Sequence, residues 1–191
     1  MEHSFTAEEQ RLIGKNHDAG RMRVLKTDDP DDAAQLRLIS APFTTRDLQA
    51  EAYSILKDRM LATVKDPANP GVGIAAPQIG ILKQLIAVER HDREEPAFEF
   101  YANPRIERYS EETASGGEGC LSVPNRSEEV VRAASITLSY LDEKTGERRQ
   151  ETVEGFTAVI FQHEIDHLNG ILYIDRIANT AAQNENSPAE E

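Results

Sequence analysis

Gly155-Phe156-Thr157-Ala158-Val159-Ile160-Phe161-Gln162-His163-Glu164-Ile165-Asp166-His167-Leu168-Asn169-Gly170 is the stretch whose reading decides the fold. Its first half is apolar nearly all round, the mark of a helix buried on every side. Gly170 is a natural C-terminal stop. His163 and His167 are four residues apart, so a helix places both imidazoles on one face, close enough to hold one ion. Glu164 lies one step round, where it can take a proton from a water activated at that ion. A single helical histidine is by default an ordinary core or surface residue. The His-Glu-x-x-His spacing inside an apolar helix reverses that default and predicts a metal-dependent hydrolase.

A catalytic metal needs a third protein ligand and an open position. In one large class of zinc endopeptidases the motif continues as x-x-Gly-x-x-His. Gly170 stands where that glycine belongs, but Tyr173 stands where the histidine belongs, and His3, His17 and His91 all lie upstream. Asp175 is a candidate carboxylate ligand. Cys120 is the better one, because Glu118-Gly119-Cys120-Leu121-Ser122 follows Ser115-Gly116-Gly117, a predicted loop where backbone can approach a site closely. Taken alone, Cys120 reads more readily as a small buried hydrophobe.

The rest of the chain sets the frame. Its 191 residues suit one domain that buries a core without disulfides, and a single cysteine cannot form an internal one. With 21 Lys+Arg against 34 Asp+Glu the formal charge is −13, which disfavours binding to nucleic acid or an anionic membrane. No apolar run approaches the roughly 18 residues of a membrane helix, and the N-terminus lacks a basic-then-apolar leader. The expected location is cytoplasmic.

Met1 to Gly20 reads as a polar, weakly patterned extension, and 179–191 as a disordered acidic tail. Arg21 to Leu25 suggests a short strand or extended arm, and Asp28 to Asp32 a charged turn. Thr44 to Asp47 has a capping-box pattern. Leu48, Ala52, Ile55, Leu56, Met60 and Val64 then recur at helical spacing, until Asp66-Pro67 and Pro70 end the run. Gly71 to Gln78 reads as a loop of small residues. Leu85 to Val88 reads as a buried strand, and Phe98, Phe100 and Ala102 as another. Ile136, Leu138 and Tyr140 form the first arm of a hairpin that turns at Asp142 to Gly146. Several strands with two main helices predict an α+β domain.

Three segments together resemble the peptide deformylase family: Gly71-Val72-Gly73-Ile74-Ala75-Ala76-Pro77-Gln78, Glu118-Gly119-Cys120-Leu121-Ser122 and Gln162-His163-Glu164-Ile165-Asp166-His167. The likeness runs from about Arg21 to Ile177, so the resemblance implies a catalytic domain over 21–178. It implies short mixed or antiparallel strands packed around a central buried helix that carries the motif. It implies an enzyme that removes the formyl group from the N-terminal formyl-methionine of new polypeptides, releasing formate. Cys120, His163 and His167 would hold one divalent ion, Fe(II) first, with Zn(II), Ni(II) or Co(II) accommodated.

Glu164 would be the base, and the Gln78 side-chain amide with the Leu121 backbone N–H the oxyanion donors. Gly71, Val72 and Gly73 would let a peptide lie along their backbone, with Val72, Ile74 or Phe161 lining a methionine pocket. Arg126 or Arg132 would hold the substrate backbone, and Arg126 is the one placed in the site. Glu118 would orient a ligand histidine, and Asp166 flanks the pair or makes a surface salt bridge. The implied partners are formyl-Met N-termini of nascent chains, with a transient ribosome association. The basic C-terminal helix by which some members dock is replaced here by an acidic tail.

Three rivals share parts of the pattern. A zinc endopeptidase shares the helix motif. A cysteine-nucleophile hydrolase would use Cys120 and leave the helix spacing unexplained. A non-enzymatic metal module would make Glu164 superfluous.

Overall fold

The computed structural model describes residues 5–15 and 20–177, with the expected acidic tail outside them. Within them the chain runs α1 (Ala7–Gly14), α2 (Pro30–Gln35), α3 (Glu51–Val64), β1 (Gly73–Ala75), β2 (Leu85–Glu89), β3 (Phe98–Tyr109), β4 (Thr113–Cys120), β5 (Val123–Ala133), β6 (Ser135–Leu141), β7 (Arg148–Glu154) and α4 (Gly155–Leu168). Among the described residues β1-β2-β3-β6-β7 form a five-stranded antiparallel sheet in that order, while β4 and β5 pair as a separate hairpin. The chain is α+β with antiparallel sheets.

Alternation along β2 explains its unbroken apolar run. Leu85 and Ala87 join the core that contains Tyr53, Leu56, Met60 and Val64 of α3. Ile86 and Val88 join the core that contains Ala158, Ile160, Phe161 and Ile165 of α4. Successive strand residues face opposite ways, so a strand covered on both faces needs apolar residues at every position. β1 follows suit, with Ile74 in the α3 core and Ala75 in the α4 core.

The helices hold where expected, with shifted boundaries. α3 buries Tyr53, Leu56, Met60 and Val64, a helical stripe. It starts at Glu51, after the Thr44–Asp47 pattern. There the Asp47 carboxylate accepts from the Thr44 N–H and hydroxyl at 2.5 and 2.6 Å, and Asp47–Gln49 forms a 3-10 turn. α4 ends in a Schellman motif: Ile171 N–H donates to Asp166 O at 3.0 Å and Gly170 N–H to His167 O at 3.1 Å. Gly170 has φ +69°, and a Cβ there would lie 2.3 Å from Arg37 O, so only glycine fits.

Five expectations change. The N-terminal segment is no mere appendage: Thr6 and Glu9 form a reciprocal capping box on α1, and Phe5 and Ile13 enter the α3 core. Asp28 to Asp32 turns directly into α2, which starts at Pro30 and is capped by the Asp29 side chain. Gly73–Ala75 is an edge strand registered on Val88–Ile86 and not a loop. Thr113–Cys120, glycines included, is a strand because the long β5 gives its backbone a partner, which outweighs weak intrinsic propensity. β3 also runs on to Tyr109, past Pro104, where a bulge breaks the register between Ala102 and Arg105. The hairpin turn at Asp142 forms as read, its carboxylate accepting from the Lys144 and Thr145 N–H groups at 2.9 Å each.

Candidate metal centre

α4 presents Phe156, Val159, Ile160 and His163 along one stripe, and this stripe forms a wall of a cleft of about 330 Å³. β1 and the 69–72 segment form a second wall, and the end of β4 with Leu121 a third. Cys120, His163 and His167 offer ligand atoms that all lie within 4.8 Å of one another. Cys120 Sγ is 3.3 Å from His167 Nε2. One soft thiol and two imidazoles suit Fe, Zn, Ni or Co better than Mg or Ca.

The histidines are held differently. His163 Nδ1–H donates to Glu118 Oε2 at 2.8 Å, which leaves Nε2 available as a ligand atom. Burial works against charge on His163, but its hydrogen bonds to Cys120 and Glu118 and the Glu164 charge outweigh that and push its pKa up to about 10. Burial pushes His167 well down, so that ring stays neutral and keeps a lone pair. Its Nδ1 has no hydrogen-bond partner. The Tyr173 ring, standing where an endopeptidase would carry its third histidine, stacks on His163 with centroids 5.9 Å apart at 19°.

Glu118 is itself pinned. Burial favours its neutral form, yet Arg132 and His163 hold its pKa down at about 2. Arg132 grips it with two hydrogen bonds of 2.8 and 2.9 Å and reaches Asp166 at 2.5 Å; Arg176 binds Asp166 from the far side. Arg132 is thus committed within the protein and does not face a substrate. Asp166, 6% exposed, joins the buried Arg132 to the more exposed Arg176.

Glu164 is buried, and burial raises its pKa to about 7 against the lowering influence of His163. Its Oε2 has no hydrogen-bond partner. A Cβ on Gly73 would lie 2.5 Å from its Oε1, so the bare backbone of β1 is what gives this carboxylate its room. Gln78 is 2% exposed and not a solvent-facing loop amide. Its Oε1 accepts from Ala75 N–H at 2.8 Å, which turns Nε2 toward Cys120 Sγ at 3.4 Å and Ser122 Oγ at 3.2 Å.

Gly71, Val72, Gly73, Gln78, Glu118, Cys120, Leu121, His163 and Glu164 all line the cleft. Arg126 does not; its guanidinium pairs with Glu128 at 2.9 Å. Ile74 and Phe161 are fully buried in the core, and Phe156, Val159 and Ile160 take the lining place expected of them. Asp175 binds Arg37 and the Leu172 N–H, away from the trio. Reading the sequence missed Ser122, the Arg132–Asp166 support and the Tyr173 stack. Only the lining residues left a signal, the 156, 159, 160, 163 periodicity of the helix itself.

Residues 22–183 match the family profile described as polypeptide deformylase. The chain belongs to the peptide deformylase family. It is 43% identical over 144 residues to the peptide deformylase of Rhizobium meliloti (strain 1021), covering 75% of this chain and 79% of that one. It is 40% identical over 157 residues to that of Caulobacter sp. (strain K31), covering 82% and 87%. Its fold superposes with TM-score 0.72 on a class I type b peptide deformylase from Acinetobacter baumannii with Met-Ala-Ser bound, at 38% identity, covering 81% of this chain and 97% of that one. The family is metal-dependent, and its members act on N-terminal formyl-methionine peptides. The chain is accordingly a hydrolase that removes the N-formyl group from new polypeptides and releases formate. The endopeptidase reading finds no support in these relatives. No helix among the described residues is long and apolar enough to cross a membrane.

Proposed function

We propose that Cys120, His163 and His167 hold one divalent ion, Fe(II) by preference, and that Glu164 is the general base and acid of deformylation. The observation that carries this reading is the buried, half-unpartnered Glu164 carboxylate beside the Cys-His-His group. The bound ion supplies Lewis-acid polarisation and acidifies water.

Glu164 takes a proton from the attacking water as the new C–O bond forms at the formyl carbon. Gln78 Nε2–H and the Leu121 N–H donate to the oxygen on which negative charge develops. Gln78 is suited to this because Ala75 N–H fixes its amide in the donating orientation. The C–N bond then breaks, and Glu164 returns the proton to the departing amine nitrogen. Formate and a free N-terminus remain.

The peptide lies along Gly71, Val72 and Gly73, at the free edge of β1, as an added strand would. Its methionine side chain packs against Phe156, Val159 and Ile160. The Acinetobacter relative, with Met-Ala-Ser bound, supports a product of this kind. Arg126, outside the cleft near the turn of the β4–β5 hairpin, would reach only substrate backbone beyond the first residue, on leaving Glu128. Glu118 orients His163. The catalytic unit comprises 21–178 around α4 as the central helix, with 1–20 as a polar N-terminal extension and 179–191 as an acidic tail. The enzyme is cytoplasmic and meets nascent chains through transient ribosome association.

The deciding experiment measures formate release from a formyl-Met-Ala-Ser peptide alongside internal cleavage of a longer unformylated peptide, with and without a chelator. Formate release lost on chelation is expected. Internal cleavage without formate release would overturn the proposal.

A further inference from the structure

A cavity larger than the metal cleft lies among the described residues. A space of about 940 Å³ lies between α1, the 21–25 segment and the 79–83 turn. Its apolar lining includes Leu12, Met22, Ile79 and Leu82. Lys83 also lines it, and Lys83 is only 6% exposed. A lysine stem enclosed to this degree usually has a charged partner. Yet among the described residues Lys83 Nζ makes no hydrogen bond or ion pair; its one polar contact is the Phe5 ring, 5.9 Å from Nζ to the centroid. The site is distinct in its lining from the metal cleft, with which it shares no residue.

The other charges around this space are accounted for one by one. Arg21 is bound to Asp66, Arg23 is bound to Asp32, and Arg59 is spent on five backbone carbonyls. Glu9 accepts from the Thr6 N–H, and Glu8 stands exposed on the first turn of α1. Lys15 is exposed at the end of α1. Two lysines are therefore uncommitted, one deep and one at the rim, in a chain with a formal charge of −13. Lys83 has an enclosed stem, lacks an anionic partner among the described residues and keeps its ammonium open to the cavity beside an apolar wall, which offers a site for a single negative charge on an apolar body.

We propose that this cavity is a second ligand site, which takes a small organic carboxylate with its charged end on Lys83 and its apolar end against Met22, Ile79 and Leu82. The test titrates hexanoate, acetate and inorganic phosphate into the metal-loaded protein and follows backbone amide shifts. Gly80, Lys83 and Lys15 report this site; Gly71, Val72 and Leu121 report the metal cleft. Hexanoate should shift the first set saturably and bind more tightly than acetate or phosphate. Lys83→Met keeps length and loses charge, and should weaken hexanoate binding about tenfold, the size of a charge-assisted hydrogen bond. Lys15→Gln, at an exposed position that leaves folding undisturbed, should weaken it by a smaller factor of about three. Shifts confined to the cleft amides would overturn the proposal, as would unchanged hexanoate affinity in both variants. Equal affinity for acetate and hexanoate would overturn the role of the apolar wall.

Discussion

Glu164 shows how much of the chemistry rests on single side chains. Burial sets its pKa near 7, so it is protonated below that and ionised above. Only the ionised form accepts a proton, so kcat/KM should rise with pH on the acid limb and level off above it. A bound cation favours the carboxylate and moves the midpoint below about 7. Glu164→Gln should retain the metal by elemental analysis while activity falls by about 10² to 10⁴-fold, the usual worth of a positioned acid–base group. A variant that kept a tenth of the activity would sink the assignment. Gly73→Ala attacks the same carboxylate from the backbone side. Its methyl would sit 2.5 Å from Oε1 and push the base aside. A displacement of about 1 Å costs on the order of 10²-fold, so kcat should fall with metal content unchanged. Position 73 is informative because its glycine was legible only as room for a peptide along the backbone. The contact that requires it lies ninety-one residues along the chain, at Glu164.

Among the elements, those whose pattern is local were readable and those made by pairing were not. α4 declared itself through its apolar run, its histidine spacing and Gly170, and the structure adds the Schellman bonds that make Gly170 the stop. β2 was readable because cover on both faces demands a continuous apolar run. β1 and β4 were hidden by their glycines, since their strand character comes from β2 and β5. α1 carried its capping box openly in Thr6-Ala7-Glu8-Glu9, but eight residues of weak periodicity gave no reason to expect a helix. What stabilises α1 is remote: Arg59 of α3 donates to the carbonyls of Leu12, Ile13 and Lys15 at 3.0, 2.6 and 2.9 Å, where the helix dipole is negative. Arg59→Met should therefore release α1. A loss of about 2–4 kcal/mol in denaturant unfolding is expected, with earlier proteolysis in residues 5–15. Deformylation should persist, because Arg59 lies outside the cleft.

At the scale of the whole molecule the metal group ties together pieces that meet nowhere else in the sequence. Cys120 ends β4 of the two-stranded hairpin, whereas His163 and His167 ride on α4 against the five-stranded sheet. Glu118 and Arg132 reinforce the same seam, one from each strand of the hairpin, with Asp166 of α4 as the third party. None of this support could be read from spacing, because Arg132 and Asp166 look like surface charges until the hairpin closes over the helix. Two stability effects should be separable. Glu118 is held at about 2, below the usual 4.5, so the stability it contributes is present above 4.5 and is lost as pH falls toward about 2. Glu118→Gln should flatten the acid-unfolding curve in that window. The ion acts by mass action instead: free metal at a thousandfold over its Kd stabilises the native state by about 4 kcal/mol. Chelation should lower Tm by several degrees at neutral pH in the parent protein. In Cys120→Ala, where the hairpin contributes no ligand, the chelator-induced drop should shrink to a small fraction. An equal drop in both would mean that the ion does not bridge hairpin and helix.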